Sequence, residues 1–316
     1  MEISLENIVE KLGTKSLGKL RRAYSYFTNP VISTGLYGLD HILGGGLPKS
    51  RITQIYGLPG VGKSYLSLFI AAAVQRTGGI VAFLDAESSL SIYYAKTSGI
   101  DFESLLISSP ESAEEALDII KILVKHNVDL IIVDSVAGLT TEKELNNSMS
   151  KNTTGSLPLL LEKKLPSLYP IGTKAYQSSS TILFINQLRD GKDGKYIPGG
   201  QPLISHSSVL IFLSRKKNIV DGWRQVGFEV DFNVVKNKVF PSDGKYTTSI
   251  FYDTGYSLED DILNTNILLG NVTIRGTWYY YNTLLLAQGR IAAIYRLKND
   301  HNLYIELCNN IEGESI

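Results

Sequence analysis

Eight residues constrain this chain more than any others: Gly57-Leu58-Pro59-Gly60-Val61-Gly62-Lys63-Ser64. The apolar run Ile52-Thr53-Gln54-Ile55-Tyr56 precedes them, and Tyr65-Leu66-Ser67-Leu68-Phe69-Ile70-Ala71-Ala72-Ala73 follows. The order is strand, glycine loop, helix, which commits this part of the chain to an α/β unit. Glycines let backbone N–H groups curl around an anion, and the start of a helix adds its positive dipole end. Lys63 is then placed to reach the β- and γ-phosphates of a nucleotide, and Ser64 to hold Mg²⁺. Gly57, Leu58, Pro59, Gly60, Val61, Gly62 and the following Tyr65 complete the expected nucleotide-binding set. Every fixed position of G-x-x-x-x-G-K-[ST] is met with the right period on both flanks, which a chance glycine turn would not need.

The chain continues the alternation of strand and helix. Ile80-Val81-Ala82-Phe83-Leu84-Asp85 reads as a buried strand, and Leu130-Ile131-Ile132-Val133-Asp134 and Thr181-Ile182-Leu183-Phe184-Ile185-Asn186 as two more. Ser109-Pro110 offers an N-cap and first-turn proline for a helix with Ala113, Ala116, Leu117, Ile120 and Leu123 on one face. Strands without period-2 polarity, alternating with helices, predict a mostly parallel central sheet flanked by helices. After about residue 208 the pattern changes to Val209-Leu210-Ile211-Phe212-Leu213, Phe228-Glu229-Val230-Asp231-Phe232 and Thr248-Ser249-Ile250-Phe251-Tyr252 with short turns, predicting antiparallel additions at the sheet edge. Three segments are expected: 1–30, an amphipathic helix and linker for subunit packing; 31–257, the core that carries the P-loop; and 258–316, a small α+β domain whose Trp278-Tyr279-Tyr280-Tyr281 cluster is packing. Within the first segment Leu5, Ile8, Val9 and Leu12 form the apolar stripe, and Lys11, Lys15 and Lys19 a basic one.

Composition narrows the function class. Lys plus Arg and Asp plus Glu number 31 each, so nucleic-acid binding would use local patches rather than net charge. No apolar run is long enough to span a bilayer and the acidic start lacks a signal peptide's basic region, so the expectation is a cytoplasmic protein, nucleoid-associated in a bacterial or phage setting, with no membrane partner. The single cysteine, Cys308, excludes an intramolecular disulfide, and four scattered histidines offer no zinc motif.

Ligands of a parallel sheet collect at the carboxyl ends of its strands. Asp134 ends one strand and has the form of an acid that positions Mg²⁺ directly or through water. Glu87, in Asp85-Ala86-Glu87, stands where a carboxylate orients an attacking water or takes its proton. Gln187 ends the next core strand, where a neutral amide can sense a γ-phosphate.

Together these segments resemble the RecA family of recombinases. The carriers are Ile55-Tyr56-Gly57 with the glycine loop, Phe83-Leu84-Asp85-Ala86-Glu87, Ile131-Ile132-Val133-Asp134-Ser135-Val136-Ala137, Phe184-Ile185-Asn186-Gln187, Gly199-Gly200 and Val234-Val235-Lys236-Asn237-Lys238, in the family's order over roughly residues 31 to 255. The resemblance implies a RecA-like P-loop core, ATP and Mg²⁺ as cofactors, Glu87 as the catalytic carboxylate and Gln187 as the γ-phosphate sensor. It implies Tyr94 as the ring that stacks on adenine, with Tyr93 as the fallback. Lys236 and Lys238 match a lysine pair that reaches the nucleotide of the adjacent subunit, acting as an arginine finger does. The implied activity is a DNA-dependent ATPase that forms helical filaments on single-stranded DNA, with ATP between subunits, and promotes pairing and strand exchange with homologous duplex DNA.

Two segments of loop composition correspond to the family's DNA-binding loops. The first, 144–155, contains Lys151 and Asn152; the second, 189–201, contains Arg189, Lys192, Lys195, Tyr196, Gly199 and Gly200. Backbone N–H groups, small polar side chains and a few cations can hold phosphates without reading sequence. The second loop is shorter than is usual in the family, and Ile204 and Ser205 stand where relatives carry a lysine and a phenylalanine. Those departures leave two other readings in view: an ATP-binding accessory protein acting on a recombinase or replication partner, and a ring-forming motor of the same core fold.

Overall fold

The computed structural model describes residues 30–146, 155–168, 179–191, 194–241 and 244–313. The expected N-terminal helix lies outside the described residues, as do Lys151, Asn152 and Lys192.

The chain enters through β1 (Val31–Ile32), helix α1 (Tyr37–Leu43) and β2 (Leu47–Pro48), with β1 and β2 paired antiparallel. The alternating region follows: β3 (Ile52–Gly57), α2 (Lys63–Arg76), β4 (Val81–Asp85), α3 (Ile92–Ser98), β5 (Leu105–Ser108), α4 (Ala113–Lys125), β6 (Leu130–Asp134), the 3₁₀ turn Val136–Gly138, α5 (Glu142–Asn146), α6 (Ser156–Leu168) and β7 (Thr181–Gln187). A short hairpin of β8 (Arg189–Gly191) and β9 (Gly194–Tyr196) leads into α7 (Gly200–His206). Then come β10 (Val209–Asp221), β11 (Arg224–Asn237), β12 (Lys245–Phe251) and β13 (Gly255–Tyr256). The last part comprises α8 (Leu258–Leu269), β14 (Val272–Arg275), β15 (Trp278–Tyr281), β16 (Leu284–Gln288), α9 (Arg290–Asn299) and α10 (His301–Gly313).

One nine-stranded sheet runs in the order β13-β12-β11-β10-β3-β7-β6-β4-β5. From β10 to β5 all neighbours are parallel; β11, β12 and β13 extend the β10 side antiparallel. The near-continuous apolar sequences of β3, β4, β6 and β7 follow from burial on both faces. One face packs α2 through Leu66, Ile70 and Phe83 together with Phe232; the other packs α4 and α6 through Ala116, Ile120, Leu161 and Phe184. β3 lies between β7 and β10, both later in sequence, while the chain itself crosses to β4. The crevice at the carboxyl end of β3 is therefore a switch point of the kind that binds ligands.

Three expectations change. The N-cap of α4 is Ser112, not Ser109: its Oγ accepts from Glu115 N at 3.1 Å, while the Glu115 carboxylate accepts from Glu111 N at 2.7 Å. Ser112-x-x-Glu115 has the capping-box pattern, here with the Glu115 carboxylate reaching one residue before the cap, and it ties the helix start down from both sides. Residues 189–201 are not an open loop, since β8 and β9 pair from Arg189↔Tyr196 to Gly191↔Gly194 and Gly200 opens α7. The aromatic cluster packs only by half, because β15 alternates: Tyr279 and Tyr281 are buried and Trp278 is exposed.

Residues beyond β13 build an apolar core of their own from Ile262, Leu263, Tyr279, Tyr281, Leu286 and Leu307. They are tied back by α8. The fully buried Asp261 carboxylate accepts from Tyr37 N at 2.7 Å, from Gly38 N at 3.3 Å and from the Tyr246 hydroxyl at 2.5 Å, so it caps the start of α1.

Candidate nucleotide site

The P-loop leaves β3 at Gly57 and closes at Gly62, the N-cap of α2. Gly60 (φ 73°) and Gly62 (φ 93°) adopt left-handed backbone that a side chain would strain, and a Cβ on Gly57 would lie 2.3 Å from Leu213 O. Val61 is buried and anchors the loop, whereas Leu58, Pro59 and Gly60 face solvent. Lys63 Nζ donates to Gly57 O at 3.1 Å and Leu58 O at 2.7 Å. Burial lowers its pKa to about 8, against the opposing charges of Asp134 and Glu87.

Asp134 ends β6, almost fully buried, and its pKa is pushed up to about 6 by burial, with the Ser64 hydrogen bond acting in the other direction. Ser64 and Asp134 are thus together, a hydroxyl and a carboxylate bonded across the mouth of the site. This pair of hard oxygens suits Mg²⁺, which typically takes one or two protein oxygens and completes its shell with phosphates and water.

Glu87 lies just past β4, on a turn fixed by its neighbour Asp85. The buried Asp85 carboxylate accepts from Ser89 N at 3.1 Å and Leu90 N at 3.0 Å. Ala86 N donates to Asp134 O at 2.9 Å, locking this turn to the end of β6. Gln187 Nε2 donates to Glu87 Oε1 at 3.2 Å and to Oε2 at 3.4 Å, and Ser135 Oγ donates to Oε1 at 2.5 Å. The structure therefore brings Lys63, Ser64, Asp134, Glu87 and Gln187 to one end of the sheet.

Beside them, a small cavity is lined by Ser64, Tyr65, Ser89, Leu90, Ser91 and Tyr94, among others. Tyr65 meets Tyr94 edge-on at 6.2 Å between ring centres, and its hydroxyl donates to Thr97 O at 3.1 Å, fixing α3 against α2. Tyr94 is about half exposed at 52%, open to a flat ligand, whereas the Tyr93 hydroxyl donates to Tyr252 O at 3.2 Å.

Lys236 and Lys238 lie elsewhere. Lys236 pairs with Leu210, and Leu210 with Gln54, three residues before Gly57, so both lysines sit toward the end of the sheet opposite the P-loop. Lys236 Nζ donates to Ile204 O at 2.6 Å and Lys238 Nζ to Ser205 O at 3.3 Å, at the carboxyl end of α7. Burial and the neighbouring Lys238 charge lower the Lys236 pKa. Among the DNA-loop residues, Arg189 Nη2 donates to Ala137 O at 3.1 Å, Lys195 and Tyr196 are exposed on β9, and Gly199 caps α7 with φ 81°, where a Cβ would press on Leu161 at 2.9 Å. Gly200 follows as the first residue of α7. Asn186 Nδ2 donates to Pro198 O at 2.7 Å and holds this segment to β7.

Sequence reasoning missed Asp85, Ser135 and Asn186. The pattern Asp85-x-x-x-Ser89 matches a carboxylate folding back on a following turn and was legible in principle; nothing local marked the reach of Ser135 to a residue 48 positions away.

A P-loop opening from the switch point of a mainly parallel sheet, with a strand-end acid and an adjacent carboxylate–amide pair, defines a P-loop ATPase. The family model described as the RecA N-terminal domain matches residues 1–257. The chain is 36% identical over 310 residues to Protein RecA of Chlorobaculum tepidum, covering 96% of this chain and 89% of that protein. It is 39% identical over 291 residues to Protein RecA of Helicobacter hepaticus (90% and 84%), and 34% identical over 323 residues to that of Mycoplasma mobile (98% and 96%). The chain belongs to the RecA family, the ATP-binding, DNA-dependent ATPases of recombination and repair. No helix of the described residues is long and apolar enough to cross a membrane.

Proposed function

We propose that this chain polymerises on single-stranded DNA as a helical filament, hydrolyses ATP at each subunit boundary, and uses the cycle to pair and exchange strands with homologous duplex DNA in the cytoplasm. The observation that carries the proposal is the convergence of Lys63, Ser64, Asp134, Glu87 and Gln187 at one sheet end, while Lys236 and Lys238 lie toward the other. A subunit whose sensor and acid sit at one end and whose lysine pair sits toward the other suits head-to-tail stacking, in which the lysine pair of one copy faces the P-loop of the next.

The P-loop amides and Lys63 bind the phosphates, and Tyr94 takes the adenine ring. Mg²⁺ would be held by Ser64 and Asp134, and it supplies charge neutralisation on the phosphate oxygens. Glu87 orients a water and accepts its proton; Gln187 turns toward the γ-phosphate and carries that change into the β8–β9 hairpin, which begins two residues later. Arg189, Lys195, Tyr196, Gly199 and Gly200, with Lys192 and the first-loop residues Lys151 and Asn152, hold the DNA backbone without reading bases.

The test is ATP hydrolysis and ATP-dependent retention of single-stranded DNA at moderate salt, with negative-stain images. Lys63→Ala is expected to abolish both, and Glu87→Gln to retain DNA and filaments while losing turnover by a factor of about 10² or more. Absence of ATP-dependent retention by the unmodified chain sinks the reading, and closed hexamers without filaments replace it with the ring-forming motor.

A further inference from the structure

Glu87 is exposed on a turn, so its own loop does not aim its carboxylate; donors from elsewhere do. Gln187 is one of them, at 3.2 and 3.4 Å. The other is Ser135, fully buried, joined to Asp134 by a cis peptide bond, with its Oγ on Glu87 Oε1 at 2.5 Å. The turn that carries Ser135 is fixed by Gly138 N donating to Ser135 O at 3.0 Å. Gly138 itself has an unstrained φ. Its reason for being glycine is space: a Cβ there would stand 2.7 Å from Glu87 Cγ and 2.8 Å from Ala86 O. One turn of chain therefore both grips the carboxylate and leaves room for its stem.

The two donors differ in what the proposed cycle asks of them. Gln187 leaves Glu87 when it turns to the γ-phosphate, at the moment the water has to be aligned. Among the described residues the Ser135 hydroxyl bonds to Glu87 alone, so no second partner competes for it.

We propose that Ser135 is the positioning residue that keeps Glu87 aimed during hydrolysis, with Gly138 providing the clearance, an inference that rests on the reading of Glu87 as the water-orienting carboxylate. Hydrogen bonds to a charged group are directional, and water alignment tolerates little error, so loss of this donor is felt in turnover rather than in binding.

The experiment measures kcat, KM for ATP and ATP-dependent retention of single-stranded DNA on the full chain. Ser135→Ala is expected to lower kcat by about 10- to 100-fold while KM and DNA retention stay within about twofold. Added to Glu87→Gln, it is expected to lower the residual rate no further, because the group it positions is already gone. A wild-type kcat in Ser135→Ala overturns the proposal. So does a parallel loss of kcat, KM and DNA retention, which marks a merely structural role, or a full further loss in the Glu87→Gln background. Gly138→Ala keeps the test open if Ser135→Ala folds poorly: it displaces the Glu87 stem and is expected to show the same kcat-only loss, and an unchanged kcat refutes the inference. Wild-type turnover by Glu87→Gln overturns the assignment of Glu87 instead, and the proposal with it.

Discussion

Replacing Asp134 by asparagine should stabilise the nucleotide-free protein at pH 8 while removing its response to Mg²⁺ and ATP. Asp134 is 5% exposed, and burial pushes its pKa up to about 6 from the ordinary 3.8. Ionising it inside the fold therefore costs about 3 kcal/mol more than in the unfolded chain. Between those two values the folded protein holds a proton that the unfolded chain has released, so this contribution to stability is complete below the unfolded value and is lost as pH rises through the folded one. Asparagine never ionises. The Ser64 hydrogen bond and the Lys63 charge oppose that cost and are already contained in it, since both lower the same pKa. A rise of about 3 kcal/mol is therefore expected at pH 8, or roughly 5–10 °C in melting temperature.

Thermal melts of both proteins at pH 5 and pH 8 check this. Asp40 and Asp261, raised by burial to about 6 and about 7, make both proteins lose stability over the same window, so the difference between the two isolates Asp134. The advantage of the variant is expected to be full at pH 8, about half as large at pH 5, where the folded carboxyl is protonated and the unfolded one ionised, and to vanish only below pH 3.8. Mg²⁺ and ATP at about 1,000 times Kd should invert the order at pH 8, since binding there adds about 4.1 kcal/mol to the wild type alone. A variant that melts below the wild type at pH 8 without nucleotide, or a gap that does not change with pH, refutes the reasoning.

Two further substitutions probe the walls of the site. Gly255→Ala would place a methyl 1.7 Å from the Tyr65 hydroxyl at a residue with φ 79°. It should break the Tyr65–Thr97 bond that holds α3, cost about 2–4 kcal/mol in a denaturant melt and weaken ATP binding, and an unchanged melt would contradict it. Lys236→Ala should leave ATP binding at low protein concentration within about twofold, yet cut DNA-stimulated turnover by a factor of about 10³ if the lysine acts across the subunit boundary. Equal losses in both assays would place its role inside its own subunit.

The parts legible in the sequence were those whose signal is local. The run from Ile52 to Ala73 reads as strand, loop and helix because apolar residues buried on all sides leave no other period, and the glycines have backbone reasons to be there. Asp134 and Gln187 were legible as strand ends. What escaped depends on contacts across the chain: Ser135 on Glu87, Asn186 on Pro198 and Asp261 on Tyr37 are pairings whose composition says nothing in isolation. β5 escaped for another reason. It is short and at the sheet edge, with Leu106 and Ile107 each about half exposed, so it lacks the apolar run that betrays a central strand. The β8–β9 hairpin was hidden by composition, since the sequence from Arg189 to Tyr196 is as polar as any loop and its pairing is a matter of backbone alone.

The Asp261 contact bears on how this protein can be cut and recombined with others. The start of α1 is capped by a residue 224 positions downstream, so the helix opening the core is completed only when the far end of the chain is in place. A fragment ending at residue 257, where the family model stops, would retain Tyr37 N, Gly38 N and the Tyr246 hydroxyl without their common acceptor. Grafting the core onto a different tail thus requires a donor that brings its own buried carboxylate to that point. In this chain the seam between large and small parts is a place where the sequence divides and the stability does not.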